Sequence, residues 1–398
     1  MTPGRVLFVA PVEPWCRENG SSVIIADLLE GLMATTGAEI APVFVRPPPP
    51  GYERHAPAGD PGTLLDIPGL PRWRSVVGAA LRGASPLRMR FDNRRVTAAL
   101  TAQSDARSFR PDIVHVEHLP LVDIGLAVAR HYGSALVYRA HNIESRLWAR
   151  RLGRFPRALQ AMVIRHMERE EADAIRLADL TLCISDGDLA WAQAVAPTAR
   201  CELLPCSLMV ERYDAVTTPA DRGRQICFVG GLDWAPNEDG LRWFLHEVFP
   251  GIRRALPDAR LAVLARGAAE RPWLSEHPGV RILAPESRAL EVFAASRVSL
   301  APLFQGGGVR IKIPESLAVG CPVVATPIGA EGHDLPGLTT TAVPSEFGAA
   351  CLMHLRAPPD PGSRVALRDA VESRHGAHLL AARLIDAWRG LRRVYTAP

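Results

Sequence analysis

The run RVLFVAP (5–11) is apolar from Val6 through Ala10 without a polar interruption. Such a run, bounded by proline, reads as a strand buried on both faces. It is followed by the Asn19-Gly20-Ser21-Ser22 turn and by VIIADLLEGLMATTG, apolar at helical spacing up to Gly37. AEIAPVFVRP (38–47) is the next strand. This order predicts parallel pairing through right-handed crossovers. DIVHVEH (112–118), SALVYRAHN (134–142), LTLCIS (180–185) and ARCELLPCS (199–207) continue the strands, with a long amphipathic helix over 156–178. The pattern then restarts. RQICFVGGL (224–232), ARLAVLARG (259–267), VRILAP (280–285) and RVSLAPL (297–303) read as strands, and LRWFLHEVFPGIRRALP as a helix. VRIKIPESLAVG reads as a short helix, CPVVATPIGAEG as strand plus turn, and 376–396 as a final amphipathic helix. The fold class is therefore α/β, with two Rossmann-like domains facing across a cleft. The expected divisions are 1–205, 206–375 and a tail of 376–398, with a hinge near 206–222. In open sheets of this kind ligands sit at the carboxyl ends of the strands.

A chain of 398 residues suits two cores. Its 47% apolar and 22% charged residues make it globular. A net charge of +4 is too small to argue for a nucleic-acid groove. The seven cysteines include no C-x-x-C pair, which supports neither a zinc site nor a disulfide framework and fits a reducing cytoplasm. The N-terminus has no signal-peptide layout, and no run reaches the ~18–20 apolar residues that span a bilayer. Among 46 basic residues only Lys312 is a lysine.

Three glycine turns fall after predicted strands: Gly20-Ser21-Ser22, Gly230-Gly231 and Gly306-Gly307-Gly308. Glycine there lets a ligand approach bare backbone, and the helix that follows offers N–H groups to an anion. Neither G-x-G-x-x-G after the first strand nor G-x-x-x-x-G-K-[ST] is present, so dinucleotide and P-loop readings lose support. GGGVRIKIPE adds Arg310 and Lys312, which match two phosphates, and Glu315, which matches a ribose diol.

These residues resemble the donor-binding half of GT-B glycosyltransferases of family GT4. The likeness rests on FVGGLDWAPNEDGLRWF (228–244) and PLFQGGGVRIKIPE (302–315), and more narrowly points to a bacterial branch. PDIVHVEH (111–118), AHNIES (140–145) and REEADAIRLADLTLCIS (169–185) extend it over most of the chain. The resemblance implies retaining transfer of a hexosyl group from a nucleoside-diphosphate sugar to a hydroxyl acceptor, with no metal and no other cofactor. It implies an acceptor-binding first domain, a nucleotide-sugar-binding second domain and a tail helix that crosses back to the first. Glu315 matches the second acid of the family's E-x7-E pattern, which holds the donor ribose, while Gly307 stands where the first acid would. Gly231 stands where the family has an arginine, and Asn237 lies near the expected lysine. Arg310 and Lys312 then take over diphosphate neutralisation. His141 matches the active-site histidine that faces the donor sugar, and Gly20 the glycine loop under the diphosphate. Gly230, Gly308 and Ser21 complete the expected substrate-binding set.

Two rival functions remain: a GT-B nucleotide-sugar 2-epimerase, and a non-catalytic nucleotide-sugar-binding partner subunit, the latter motivated by Gly307. Asp186-Gly187-Asp188 has a D-x-D form, but Ser185 and Asp186 at a helix start favour capping over metal. His115, His118 and His141 favour substrate contact or packing over a metal. Glu144 suits a cleft rim or a helix cap, Ser145 a cap, and Asn237 a cap for the helix that begins LRWF. The basic segment 72–95, with Trp73 and Phe91, suits either a solvated arginine face or peripheral contact with the inner face of a membrane. The proline-rich 47–62 loop suits acceptor selection.

Overall fold

The computed structural model describes residues 4–391 apart from 18, 36–37, 47–61, 68, 70–84, 86, 89, 152–156, 218, 220–221, 285–286 and 358–359. The expected 47–62 loop lies outside the described residues except for Gly62. So do the helix end at Gly37 and most of the basic segment, Trp73 included.

The chain divides into two compact units, 1–207 with 377–398, and 208–376. Among the described residues the first holds seven strands: β1 (Arg5–Val12), β2 (Glu39–Arg46), β3 (Thr63–Leu64), β4 (Ile113–Glu117), β5 (Ala135–Ala140), β6 (Leu180–Cys183) and β7 (Cys201–Leu203). They run in the order β3-β2-β1-β4-β5-β6-β7. Every pair is parallel, with Val6 opposite Ile40 on one side and Ile113 on the other. The continuous apolar runs are explained by this placement, because β1 and β4 have neighbours on both edges and cores on both faces.

The helix Gly20–Ala34 begins three residues before the apolar spacing predicts. Asn19 and Ser22 form a reciprocal capping box, with Asn19 Oδ1 accepting from Ser22 N at 3.1 Å and Ser22 Oγ accepting from Asn19 N at 3.0 Å. Gly20 and Ser21 thus belong to the first helical turn. The last described helix, Ala377–Arg389, lies in the first unit and packs on Gly20–Ala34. A Cβ on Gly31 would lie 2.6 Å from the Ala377 carbonyl oxygen, so this close approach requires glycine. Phe91, placed by the sequence in a solvated or membrane-facing segment, is instead buried under β2 and the helix Asn93–Ala106.

The second unit repeats the plan with β8 (Gln225–Gly231), β9 (Arg260–Arg266), β10 (Val280–Ile282), β11 (Val298–Ala301), β12 (Val323–Ala325) and β13 (Leu338–Thr340). Their order is β10-β9-β8-β11-β12-β13, again all parallel. Gly230 and Gly231 are the last residues of β8 and not a turn beyond it. The helix that follows is Ala235–Trp243, with Trp234 as its N-cap. Asn237 is therefore inside the first turn and caps nothing; its Nδ2 donates to the Gly231 carbonyl at 2.9 Å. Ser185 does cap the helix Asp186–Val195, accepting from Asp188 N at 3.1 Å. Cys183 and Cys227 are core thiols, and none of the seven cysteines is in a disulfide.

Candidate active site

In both sheets the strand order reverses once, between β1 and β4 and between β8 and β11. Crossovers leave on opposite faces from such a pair, which opens a crevice at its carboxyl ends. Each unit gathers its candidate residues there.

In the first unit, β4 ends in Glu117 and His118. Glu117 is fully buried, and His115, Arg139 and His141 surround it. His115 Nε2 lies 3.1 Å from Glu117 Oε1, and Arg139 Nη1 lies 3.6 Å from the same oxygen. His141 Nε2 bonds Glu117 Oε2 directly. Burial alone would raise the Glu117 carboxyl; the Arg139 charge and the two imidazole bonds outweigh it and hold the carboxyl well below its ordinary range. His141 titrates below its usual value because it is buried, with Glu117 acting against that shift. At neutral pH the pair is then a carboxylate and a neutral imidazole with its proton on Nε2. Arg139 Nη2 also donates to the Pro205 carbonyl at 3.0 Å, which anchors the cation within the unit.

His141 stacks on His118, ring centres 3.9 Å apart at 22°. His118 Nε2 in turn lies 2.7 Å from Ser21 Oγ. His118 titrates well below its usual value, through burial first and the neighbouring His141 second. A cavity of about 440 Å³ opens here, with Asn19, Ser21, Arg46, Arg90, His118 and Glu144 in its wall. Glu144 and Ser145 begin the helix Glu144–Arg151, and both backbone N–H groups donate to the Glu171 carboxylate, at 2.5 and 3.1 Å. The cap is thus Glu171 and not either residue the sequence offers.

In the second unit the loop after β11 folds back onto β8. Lys312 Nζ donates to the Val229 carbonyl at 3.3 Å and lies 4.9 Å from the Phe228 ring centre. Its ammonium is pushed down to about 7, by burial first and by the Arg310 charge second. Arg310 Nη1 donates to the Gly307 carbonyl at 2.5 Å, and its guanidinium lies 5.3 Å from the Trp234 ring centre. Gly306 takes φ 117° and Gly308 φ 80°. At Gly306 a Cβ would meet both Arg310 Nη2 and the Trp234 ring at 2.7 Å. A Cβ on Gly230 would meet Asn237 Nδ2 at 3.0 Å. His333 Nε2 donates to the Arg310 carbonyl at 3.0 Å and steadies the loop from the other side. Glu315 is half-buried on the helix Lys312–Ala318, one turn on from the lysine.

The structure brings Ser21 and His141 together through His118, with Gly20 beside Ser21. It brings Gly230, Gly231, Gly307, Gly308, Arg310 and Lys312 together at the β8–β11 end. Sequence reasoning missed Glu117 and Arg139 and left His118 between substrate contact and packing. The signal was present: an acid and an arginine ending otherwise apolar strand runs must be buried as a pair. Among the described residues no group of His, Cys, Asp and Glu is arranged to hold a metal ion, and no helix is long and apolar enough to cross a membrane.

Two units, each an open parallel sheet wrapped by helices, define the GT-B architecture of glycosyltransferases. The profile of Glycosyltransferase Family 4 matches residues 19–212, and that of Glycosyl transferases group 1 matches 223–356. The chain belongs to the GT4-type glycosyltransferases of GT-B fold, and is a glycosyl-transferring enzyme. A Klebsiella pneumoniae protein described as an uncharacterized 44.6 kDa protein in the cps region is 28% identical over 116 residues. That match spans 27% of this chain and 30% of the relative's length. The fold is similar to sucrose-phosphate synthase from Thermosynechococcus elongatus, at TM-score 0.68 and 15% identity, covering 97% of this chain and 98% of that one. It is also similar to Anabaena HepE in complex with UDP and glucose, at TM-score 0.61 and 13% identity, covering 98% and 100%. An E. coli trehalose-6-phosphate protein bound with UDP-2-fluoro glucose matches at TM-score 0.63 and 14% identity, covering 98% and 100%.

Proposed function

We infer that this enzyme moves a hexosyl group from a nucleoside-diphosphate sugar to a hydroxyl acceptor with retention of anomeric configuration and without a metal. The observation that carries this reading is the meeting of Arg310 with the Gly307 carbonyl and of the sole lysine, Lys312, with the Val229 carbonyl just before Gly230, at the carboxyl ends of β8 and β11. Two cations and bare glycine backbone suit the diphosphate of a departing nucleotide, where negative charge builds as the glycosyl bond breaks. Glu315 is the acid assigned to the donor ribose. Solved structures of similar fold carry UDP, UDP-2-fluoro glucose or ADP, which supports a nucleotide-sugar donor. The first unit is assigned the acceptor, in the cavity between Ser21, His118 and Arg90, with His141 assigned to the donor sugar.

In this route the bond from the anomeric carbon to the β-phosphate oxygen breaks, and the acceptor oxygen bonds the same carbon from the same face. The acceptor proton passes to the departing phosphate. Among the described residues the site offers cations and no carboxylate placed as a nucleophile, which favours this route over a covalent double displacement.

The test is a thermal-shift panel of UDP, GDP, dTDP and ADP on wild type and Lys312→Ala, in EDTA and in added Mn²⁺. A shift with one nucleotide, lost in the variant and indifferent to metal, is expected. NMR of the product from the matching sugar donor then reads the anomeric configuration. No shift with any nucleotide, or an inverted product, overturns the reading.

A further inference from the structure

His118 holds the first unit's most constrained backbone. Its φ of 73° with ψ of 148° falls where a side chain is seldom tolerated and glycine is the ordinary occupant. The other described non-glycine residues at positive φ are Arg17, Asp66 and Ser108, at 49° to 51°, near the left-handed helical value that side chains do visit. A glycine at position 118 would relieve the backbone, so the fold alone does not call for a histidine. The imidazole is nonetheless fixed on two sides, by Ser21 Oγ at 2.7 Å and by the stacked ring of His141 at 3.9 Å. It forms part of the wall of the 440 Å³ cavity.

We propose that His118 is a substrate-contacting catalytic residue, whose imidazole hydrogen-bonds the acceptor hydroxyl in this cavity and sets the angle at which it attacks. Ser21 and His141 are its positioning partners. The assignment rests on the transferase reading above and adds to it the group that meets the acceptor. Three features converge: the strained backbone, the double anchoring of the ring, and its place in a cavity wall. With Nε2 engaged by Ser21, Nδ1 is the ring nitrogen that remains for a ligand. Its depressed pKa keeps the ring neutral, so it carries one N–H and one lone pair and can serve a hydroxyl in either sense. The strain is the cost of holding that ring in the cavity wall at the end of β4.

The test compares wild type with His118→Ala and His118→Gly. Each is assayed for hydrolysis of UDP-glucose, GDP-mannose, ADP-glucose and dTDP-glucose, in which water stands in for the acceptor. Transfer to n-octyl glucoside and thermal shift by the free nucleoside diphosphates complete the set. Both variants are expected to lose about tenfold to a hundredfold in kcat/KM while keeping the nucleotide shift. The glycine variant is expected to melt above the alanine variant, reversing the usual order of these residues in ordered backbone. Activity per folded molecule within about twofold of wild type would overturn the assignment. So would a glycine variant that melts below the alanine variant. A wild type with neither hydrolysis, transfer nor nucleotide shift overturns the transferase reading itself, and this assignment with it, before any variant is needed.

Discussion

Ser21 Oγ lies 2.7 Å from His118 Nε2, which joins the first turn after β1 to the residue after β4 across 97 positions of sequence. Ser21→Ala removes the side-chain hydrogen bond that orients this ring. The expected result is a fall in transfer of about fivefold to twentyfold, with melting changed by no more than about 1 kcal/mol. Nucleoside-diphosphate affinity should stay at the wild-type value. A steady-state comparison beside a nucleotide titration checks both halves; an affinity that falls with the rate would place Ser21 with the donor instead.

Glu117 is the counter-charge for Arg139 in a fully buried cluster. Glu117→Gln leaves the guanidinium without its carboxylate and is expected to cost about 3–5 kcal/mol. Chemical denaturation reads it. A loss below about 1 kcal/mol would mean that the cluster relaxes or hydrates freely.

Acid should destabilise the enzyme below about pH 6.5. His115, His118 and His141 all titrate below their ordinary 6.5 in the folded chain, each through burial first. His333 is lowered to about 3, also by burial first. A histidine with a depressed folded pKa takes up its proton more readily when unfolded, so stability is full above 6.5 and falls as pH drops towards the folded value. Glu117 acts in the same direction, since its depressed carboxyl loses its stabilising charge as pH falls through its folded pKa. Glu171, raised to about 7 by burial, works in the opposite sense between 4.5 and 7. Below 6.5 the four histidines His115, His118, His141 and His333 oppose this one carboxyl, so the net slope is downward with acid. Urea midpoints between pH 8 and 5 measure it, and a midpoint that rises on acidification contradicts the cluster as described.

Lys312 is expected to bind a proton when a nucleoside diphosphate binds. Its folded pKa of about 7, against an ordinary 10.5, leaves the amine mostly neutral at pH 8.5. A diphosphate beside it restores the charge, so uptake should approach one proton at about pH 8.5 and vanish by about pH 6. Calorimetry in buffers of different ionisation enthalpy gives the number directly. Because no other lysine exists in the chain, acylation of its side-chain amine, and protection by the nucleotide, can be read from one peptide.

Gly306→Ala places a Cβ 2.7 Å from both Arg310 Nη2 and the Trp234 ring, at φ 117°. The substitution should cost about 1–3 kcal/mol and displace the Arg310 guanidinium. Weaker nucleotide binding, with Gly251→Ala as a control that meets only an arginine tip at 3.9 Å, is the expected outcome.

The sequence by itself determined the repeated α/β plan, because strands buried on both faces must be written as unbroken apolar runs. It also singled out the Gly306–Lys312 loop, because glycines followed by two cations leave a local signature. It did not reveal the two-residue β3, the helix Asn93–Ala106 or the helix Pro361–His375, which are held by packing against neighbours more than by internal pattern. It placed Asn237 as a cap, whereas the close carbonyl of Gly231 draws its amide inward. Only the tertiary structure decided which strands adjoin where the order reverses. That choice sets Ser21 against His118 and Lys312 against Val229, pairs far apart in the chain. The physical reason is that local pattern encodes how deeply a segment is buried, while its neighbour is chosen by long-range packing of the whole sheet.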